Sequence, residues 1–175
     1  MNFGSILVPW WSITKSCLAA CVLVLVDKGQ LDLDRRIDGR AFTLRQLLQH
    51  TSGLACYTEH PDYDRANNAD DEPWTHAELL LQSETTPAMF APGQGWSYSN
   101  TGYFLVRRLI EHTTGLDIEH ALKTLVLAPL GVERAFIAPT RDDLRQSALG
   151  DEDGFHLGWA RTGWLSGPTA GAAAL

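Results

Sequence analysis

The sequence has little of several features that mark common functional classes. It carries 14 Lys and Arg residues against 21 Asp and Glu residues, so its formal net charge is -7, and it has no basic stripe. Binding to nucleic acid or to an anionic membrane surface needs clustered positive charge, so neither partner is expected. The three cysteines, Cys17, Cys21 and Cys56, match neither a disulfide framework nor a zinc spacing. We expect them to be reduced core residues.

The sequence also lacks the short motifs of several enzyme classes and any long apolar span. It contains no phosphate loop, dinucleotide fingerprint, H-E-x-x-H or G-x-S-x-G, and no metal or organic cofactor is predicted. The apolar run that ends at Val26 is too short to span a bilayer. Residues 18–21 look like a bacterial lipoprotein cleavage site, but no positive charge precedes Lys15 and most of the apolar run follows Cys21. No clear signal peptide is seen, and the compartment, bacterial periplasm or cytoplasm, is left open.

Length and composition fit one globular domain. The 175 residues are 45% hydrophobic and 20% charged, which is typical of a soluble chain with a sizeable core. Hydrophobic periodicity and capping residues predict an apolar helix embedded in the core over 16–26, and an acidic surface loop over 59–73. Four more helices are predicted: residues 43–50 capped by Thr43, one opened by the Thr75 and Glu78 capping box, residues 102–114, and one from Asp117 to Leu127.

Ser12 and Lys15 lie three residues apart at the start of the first predicted helix. Residues at this spacing share a helix face, so the Lys15 amine can reach the Ser12 hydroxyl and act as its base. Burial would lower the pKa of the lysine, which the role requires. Ser12 can also serve as the N-cap or a first-turn residue of the helix. S-x-x-K alone is a weak motif, and its partners decide its meaning.

Those partners follow in a recognisable order. The ordered segments resemble the serine β-lactamase and penicillin-binding protein superfamily, specifically the branch of class C β-lactamases, DD-peptidases and esterases that uses S-x-x-K and Y-x-N. The segments are Ser12-x-x-Lys15, Leu47-Leu48-x-His50-Thr51-Ser52-Gly53-Leu54, Pro92-Gly93, Tyr98-Ser99-Asn100-Thr101-Gly102-Tyr103 and Pro129-Leu130-Gly131. Together they are far more specific than any one of them.

The resemblance implies roles for four residues. Ser12 would be the acylated nucleophile, and Lys15 its proton partner. Tyr98 would hydrogen-bond to both and relay a proton, while Asn100 would orient Lys15 or the substrate amide. The backbone N–H of Ser12 would be one oxyanion donor. Tyr98 and Asn100 could instead be a loop aromatic and the N-cap of the next helix, and His50 is interpreted as a structural residue that closes a helix.

The resemblance also implies an α/β (α+β) fold of the β-lactamase/transpeptidase type. Residues 1–175 are expected to be a single, truncated domain of this kind, mostly its helical part, with the sheet short or incomplete. The third motif, K-T-G or H-x-G, is expected beyond the end of the chain. Residues 161–163 (R-T-G) imitate it but lie too near Tyr98. Trp11 is a second departure, since small residues are commoner before the nucleophile and a tryptophan would narrow the pocket entrance.

The implied function is a serine hydrolase that acts through an acyl-enzyme on an ester, amide or β-lactam carbonyl. A β-lactamase, a D-Ala carboxypeptidase and an esterase all fit, each with a small-molecule or peptide substrate. The alternative is a catalytically silent penicillin-recognition fold kept as a binding or interaction module. The third motif's absence favours that alternative, whereas the four site residues favour the enzyme. A homo-oligomer is a further prediction, because a second copy could complete an exposed sheet edge.

Overall fold

The computed structural model describes residues 7–9, 11–37, 39–68, 74–132, 135–136 and 172–174. Within these ranges the chain is mostly helical. The α-helices are α1 (Thr14–Asp27), α2 (Leu44–Leu48), α3 (Pro61–Asn68), α4 (His76–Thr85), α5 (Asn100–Thr114) and α6 (Ile118–Leu122). Two 3-10 turns, Trp11–Ile13 and Tyr57–Glu59, and one π-helical turn, Lys123–Leu127, accompany them. None of the helices in the described ranges has the length and apolar character that crossing a bilayer requires.

The described strands form a small antiparallel sheet. They are β1 (Leu7–Pro9), β2 (Ala135–Phe136) and β3 (Ala172–Ala174), and β3 lies between the other two. Leu7 is opposite Ala174, and Ala135 is opposite Ala173. Pro9 ends β1, which is an edge strand among those described, and an edge tolerates a residue without an N–H donor.

Helix α1 contributes one of its faces to the core. Leu18, Cys21, Val22 and Leu25 are each at most 1% exposed, and their spacing follows the helical period. They pack against α5, α6 and the π-helical turn. The prediction of an apolar helix embedded in the core holds for this face, but not for the whole helix, because Leu23 on another face is 52% exposed.

The cysteines agree with their predicted role. All three are free thiols, with Cys21 and Cys56 buried and Cys17 half-buried. Burial raises the pKa of the Cys17 thiol, and it raises the pKa of Cys21 to about 12, with a smaller contribution from Cys17. Both α1 thiols are therefore protonated and poorly nucleophilic at neutral pH.

The predicted helix ends are largely confirmed. Thr43 and Thr75 cap α2 and α4, each in a reciprocal capping box, with Gln46 and Glu78 respectively. Gly115 ends α5 with a φ of 69°, and the Asp117 side chain caps α6. Helix α2 covers 44–48 rather than 43–50, because the chain turns at His50, which has a φ of 59°.

The acidic segment 59–73 is not simply a loop, since α3 occupies 61–68. Pro61 stands at the first helical position, where its fixed φ suits a helix and its missing N–H costs nothing. Tyr63 is buried within this polar helix, and its ring centroid lies 5.6 Å from that of Tyr57. The charged residues around Tyr63 suggested an exposed loop, so its role was missed in the sequence. The buried Tyr63 side chain holds the segment against the rest of the protein as a helix.

Gly53 joins the turn after α2 to the long loop before α5. Its carbonyl accepts a hydrogen bond from the Met89 N–H at 2.9 Å, and the Thr51 carbonyl accepts one from Gly93 at 2.8 Å. The φ of Gly53 is 77°, and a Cβ placed there would lie 2.0 Å from the backbone oxygen of Phe90. Only glycine allows the two backbones to approach this closely.

We therefore expect Gly53→Ala to destabilise the fold more than the same change at Gly115. Gly115 has a similar φ, 69°, but a Cβ there would meet no atom within 4 Å. Gly115→Ala should cost about 1 kcal/mol for backbone strain, and Gly53→Ala about 1–3 kcal/mol more because the Phe90 backbone must move. Urea denaturation of both variants measures the difference, and equal midpoints would contradict this account.

Candidate active site

Ser12 lies in the 3-10 turn Trp11–Ile13, immediately before α1. Ile13 is the N-cap residue of α1 and makes no side-chain capping bond, so the expectation that Ser12 caps or begins the α-helix is wrong. The turn leaves the Ser12 side chain exposed instead. Its Oγ lies 2.7 Å from the Tyr98 Oη, and either hydroxyl can be the donor. Residues 86 positions apart in the chain thus form one hydrogen-bonded pair.

Lys15 is in the first turn of α1 and is only 5% exposed. Its Nζ has no hydrogen-bond partner among the described residues. It lies 4.9 Å from the ring centroid of Tyr98 and 5.8 Å from that of Tyr103. The direct hydrogen bonds expected from Lys15 to the hydroxyls of Ser12 and Tyr98 are therefore not formed. The two hydroxyls are hydrogen-bonded to each other, and the Lys15 amine lies over the faces of the Tyr98 and Tyr103 rings.

Burial lowers the pKa of Lys15 from its ordinary value of 10.5 to about 8. Removing an ammonium from water disfavours its charged form. Cys56, which is 4% exposed, has a smaller and opposite effect on the pKa of Lys15. A substantial fraction of Lys15 is therefore neutral at mildly alkaline pH, and the low pKa expected from the sequence is present without the expected hydrogen bonds.

Tyr98 and Asn100 lie where the loop enters α5. Ser99, and not Asn100, is the N-cap of α5, because its Oγ accepts the Gly102 N–H at 3.1 Å. The N-cap interpretation of Asn100 is therefore wrong. Asn100 is the first residue of the helix, and its backbone N–H donates to the Cys56 Sγ at 3.3 Å. Tyr98 is 39% exposed, so the hydroxyl pair can be reached from solvent.

Two residues of this region were not singled out by sequence reasoning. Tyr103 was named only as the last residue of the segment that begins at Tyr98, yet its ring faces Lys15 and its hydroxyl donates to the Leu48 carbonyl at 2.9 Å. Cys56 was assigned to the core, yet its Sγ accepts from both Asn100 and the Thr58 hydroxyl. No local sequence pattern predicts that Tyr103 and Cys56 lie beside the site, because packing between distant segments brings them there.

Other predictions lie outside what the structure describes. Residues 161–163, the imitation of the third motif, fall in an undescribed range, and so does the side chain of Trp11. In the described part of the chain, no group of three or more His, Cys, Asp or Glu residues could hold a metal ion. Ser12, Lys15 and Tyr98 bring together a candidate nucleophile and two groups able to hold its proton.

The sequence matches the profile of the family described as Beta-lactamase over residues 7–175. It is 33% identical over 141 residues to the esterase EstB of Burkholderia gladioli, which covers 69% of this chain and 36% of that protein. It is 32% identical over 133 residues to a penicillin-binding protein of Bacillus subtilis, with 69% of this chain and 28% of that protein covered. The chain thus spans about a third of the length of these curated relatives.

Solved structures show the same likeness. The D-amino acid amidase from Ochrobactrum anthropi SV3 matches with a TM-score of 0.74 and 30% identity, over 98% of this chain and 54% of that chain. A D-stereospecific amidohydrolase from Streptomyces sp. matches with a TM-score of 0.69 and 32% identity, over 79% and 46% of the two chains. The similarity supports the predicted β-lactamase/transpeptidase-like fold, while the extent of the sheet stays a prediction.

The buried amine of Lys15, which has no hydrogen-bond partner among the described residues, should weaken the fold. Its pKa is lower in the folded chain than in the unfolded chain, so the unfolded chain binds the proton more tightly, and the cost is full below pH 8 and fades as the pH approaches 10.5. At pH 7 this cost is on the order of 3 kcal/mol. We expect Lys15→Met, which keeps the length of the side chain, to raise the free energy of unfolding by about 2–3 kcal/mol at pH 7 and by less at pH 10.

Urea denaturation at the two pH values measures this effect. Lys28→Met is the matched control, because Lys28 is exposed at the C-cap of the same helix and its replacement should change stability little. A Lys15→Met variant that is less stable than the native chain at pH 7 would show that the amine has a stabilising partner.

Proposed function

Because the chain belongs to the Beta-lactamase family, we propose that it is a serine hydrolase that forms an acyl-enzyme on Ser12. The observation that carries the proposal is the 2.7 Å hydrogen bond between the Ser12 Oγ and the Tyr98 Oη. A serine hydroxyl is a weak nucleophile until a nearby group accepts its proton. The Tyr98 hydroxyl is within proton-transfer distance of the Ser12 Oγ, and the buried Lys15 amine lies over the Tyr98 ring.

In the first half of the reaction, the Ser12 Oγ attacks the carbonyl carbon of the substrate. The proton of Ser12 passes along its hydrogen bond to Tyr98 as the tetrahedral intermediate forms. The backbone N–H of Ser12 would supply one donor to the oxyanion. Collapse of the intermediate breaks the bond to the leaving group, which takes the proton from Tyr98. In the second half, Tyr98 accepts a proton from water as the water oxygen attacks the acyl carbon. The Ser12–acyl bond then breaks as Tyr98 returns that proton to the Ser12 Oγ, and the acid product is released.

Lys15 acts on this pair through charge and proton supply. Its Nζ lies over the ring of Tyr98, where a positive charge stabilises negative charge on the tyrosine during proton transfer. We propose that Lys15 and Tyr98 together hold one proton fewer in the reactive form than when both are protonated. When Tyr98 accepts the proton of Ser12, the remaining proton of the two groups is on the Lys15 amine.

The substrate class follows from the relatives by similarity. Their names include an esterase, a penicillin-binding protein and a D-amino acid amidase, all consistent with attack on a carbonyl that carries an oxygen or nitrogen leaving group. We propose an ester, an amide or a β-lactam as substrate, with Asn100 orienting the substrate amide or Lys15. A p-nitrophenyl ester, a chromogenic cephalosporin and a D-amino acid amide are suitable first substrates.

Covalent modification of the 175-residue chain at Ser12 should be visible by intact-mass spectrometry. A fluorophosphonate should add once, at Ser12, and Ser12→Ala should abolish the adduct. Ser16→Ala is the matched control, since Ser16 is an exposed serine one turn away on α1, and it should label at the native rate. Tyr98→Phe removes the proton acceptor and should slow labelling by about 10²–10⁴-fold.

The same measurement separates the enzyme from a silent binding module. A folded native chain that forms no adduct with the fluorophosphonate, or with a penicillin, would contradict the proposed function. Labelling of Tyr98→Phe at the native rate would instead contradict only the role proposed for Tyr98.

The pH dependence follows from the pKa of Lys15, which burial lowers to about 8. Because the reactive pair has lost one proton, kcat/KM should rise tenfold per pH unit up to about pH 8 and level off above it. Lys28→Met should keep this profile, whereas Lys15→Met should lose the rise at pH 8 together with most of the activity. A rate that falls as the pH increases through 8 would show that the fully protonated pair is the active form.

A further inference from the structure

We propose that His50 is a positioning residue that holds the Tyr98 hydroxyl against Ser12 and does so as a neutral imidazole. The inference rests on the proposed function, because it assigns His50 to the same reaction. His50 lies in the turn after α2, and its side chain is half-buried. Three sets of contacts, made by its backbone, by its Nδ1 and by the face of its ring, converge on the segment that carries Tyr98.

The first two contacts hold the chain on both sides of Tyr98. The backbone carbonyl of His50 accepts the Ser97 N–H at 3.0 Å. Its Nδ1 accepts the Ser99 N–H at 3.1 Å. One residue therefore fixes the amides immediately before and after the tyrosine, and this leaves the backbone at Tyr98 little freedom to turn its side chain away from Ser12.

The third contact holds the tyrosine ring itself. The centroid of the His50 imidazole lies 4.7 Å from that of Tyr98, with 31° between the planes, and 5.1 Å from that of Tyr103, with 39° between the planes. Tyr103 is tied to the α2 end through its bond to the Leu48 carbonyl. The imidazole thus contacts both the ring of Tyr98 and a ring that is itself held by a hydrogen bond.

Closing α2 does not require a histidine. The His50 N–H donates to Leu47 at 3.2 Å and the Thr51 N–H to Gln46 at 2.9 Å, which is the bonding pattern of a Schellman motif. His50 occupies its left-handed position with a φ of 59°, where glycine or asparagine would be under less strain. Helix closure explains the backbone geometry of His50. Among the described residues, its ring contacts Trp96, Tyr98 and Tyr103, and its Nδ1 accepts from Ser99.

The contacts also define the required protonation state. Because the Nδ1 accepts the Ser99 N–H, the proton of the neutral ring is on Nε2. A second proton on the ring would occupy Nδ1, so that Nδ1 could no longer accept the hydrogen bond. The Nδ1–H and the Ser99 N–H would then point at each other. In the described part of the chain, the titratable groups that face His50 are Lys15 from α1, Tyr98 from the loop and Tyr103 from α5. Burial, and then the charge of Lys15, lower the pKa of His50 below 6.5, so the neutral form prevails at pH 7.

Two substitutions of His50 distinguish the effect of its Nδ1 acceptor from the effect of its backbone conformation. His50→Asn and His50→Gly both suit a positive φ, and both remove the ring. Asparagine keeps a hydrogen-bond acceptor, its Oδ1, two bonds from Cβ, as Nδ1 is in histidine. A misplaced catalytic group can cost about 10²-fold in rate, so we expect His50→Gly to lower kcat for an ester substrate by about 10²-fold with little change in KM. His50→Asn should recover at least about tenfold of that loss.

The pH dependence of kcat/KM distinguishes a role of His50 in positioning Tyr98 from a role in the fold alone. In the native chain, log kcat/KM should fall with slope 1 below about pH 8, because Lys15 is protonated, and approach slope 2 in acid as His50 is protonated. His50→Asn should keep slope 1 throughout. His112→Asn, at an exposed position in the last turn of α5, is the control and should keep both the native rate and the steeper acid limb.

Each outcome decides the proposal. It is overturned if His50→Gly turns over at the native rate, if His50→Asn loses as much as His50→Gly, or if His50→Asn keeps the steeper acid limb. A native chain that never labels at Ser12 would refute the proposed function, not the contacts. Nitrogen-15 NMR tests those contacts separately, since the His50 ring should be the Nε2–H tautomer at pH 7 and the Ser99 amide signal should move as His50 titrates. A protonated Nδ1 at pH 7 would refute the positioning role.

Discussion

Lys15 carries a primary amine into the core and against the rings of Tyr98 and Tyr103, with no hydrogen-bond partner among the described residues. Such burial costs free energy unless something else is gained. Here it lowers the pKa of the amine towards the working range of an enzyme and places a charge beside the tyrosine that pairs with Ser12. Helix α1 provides this placement, since the face that buries Lys15 also supplies the centre of the core.

The structure changes the expected division of labour at the site. Spacing alone favoured a lysine that bonds directly to the serine, whereas the geometry joins serine to tyrosine and leaves the lysine on the ring face. The difference arises because Ser12 belongs to a 3-10 turn and Lys15 to the α-helix that follows. In the proposed mechanism, proton transfer and charge stabilisation are then assigned to different groups.

The site is assembled from three chain segments, and short backbone contacts join two of them. The turn after α2 meets the loop before α5 through the carbonyls of His50, Thr51 and Gly53, which accept N–H groups from Ser97, Gly93 and Met89. Gly53 makes the close approach possible, because any side chain there would collide with Phe90. The resemblance identified this stretch as a motif, and the backbone contacts show what it does physically: it holds the tyrosine loop.

Local rules in the sequence determined the helix caps and stops at Thr43, Thr75, Gly115 and Asp117, because a cap depends on residues three or four positions away. The ordered motifs determined the family and the four candidate residues. Only the tertiary structure decided that Ser12 pairs with Tyr98, that Lys15 lies on aromatic faces, that Ser99 rather than Asn100 caps α5, and that a buried tyrosine turns part of an acidic segment into α3. These features depend on contacts between residues distant in the chain, and neither spacing nor composition contains the distances that create them.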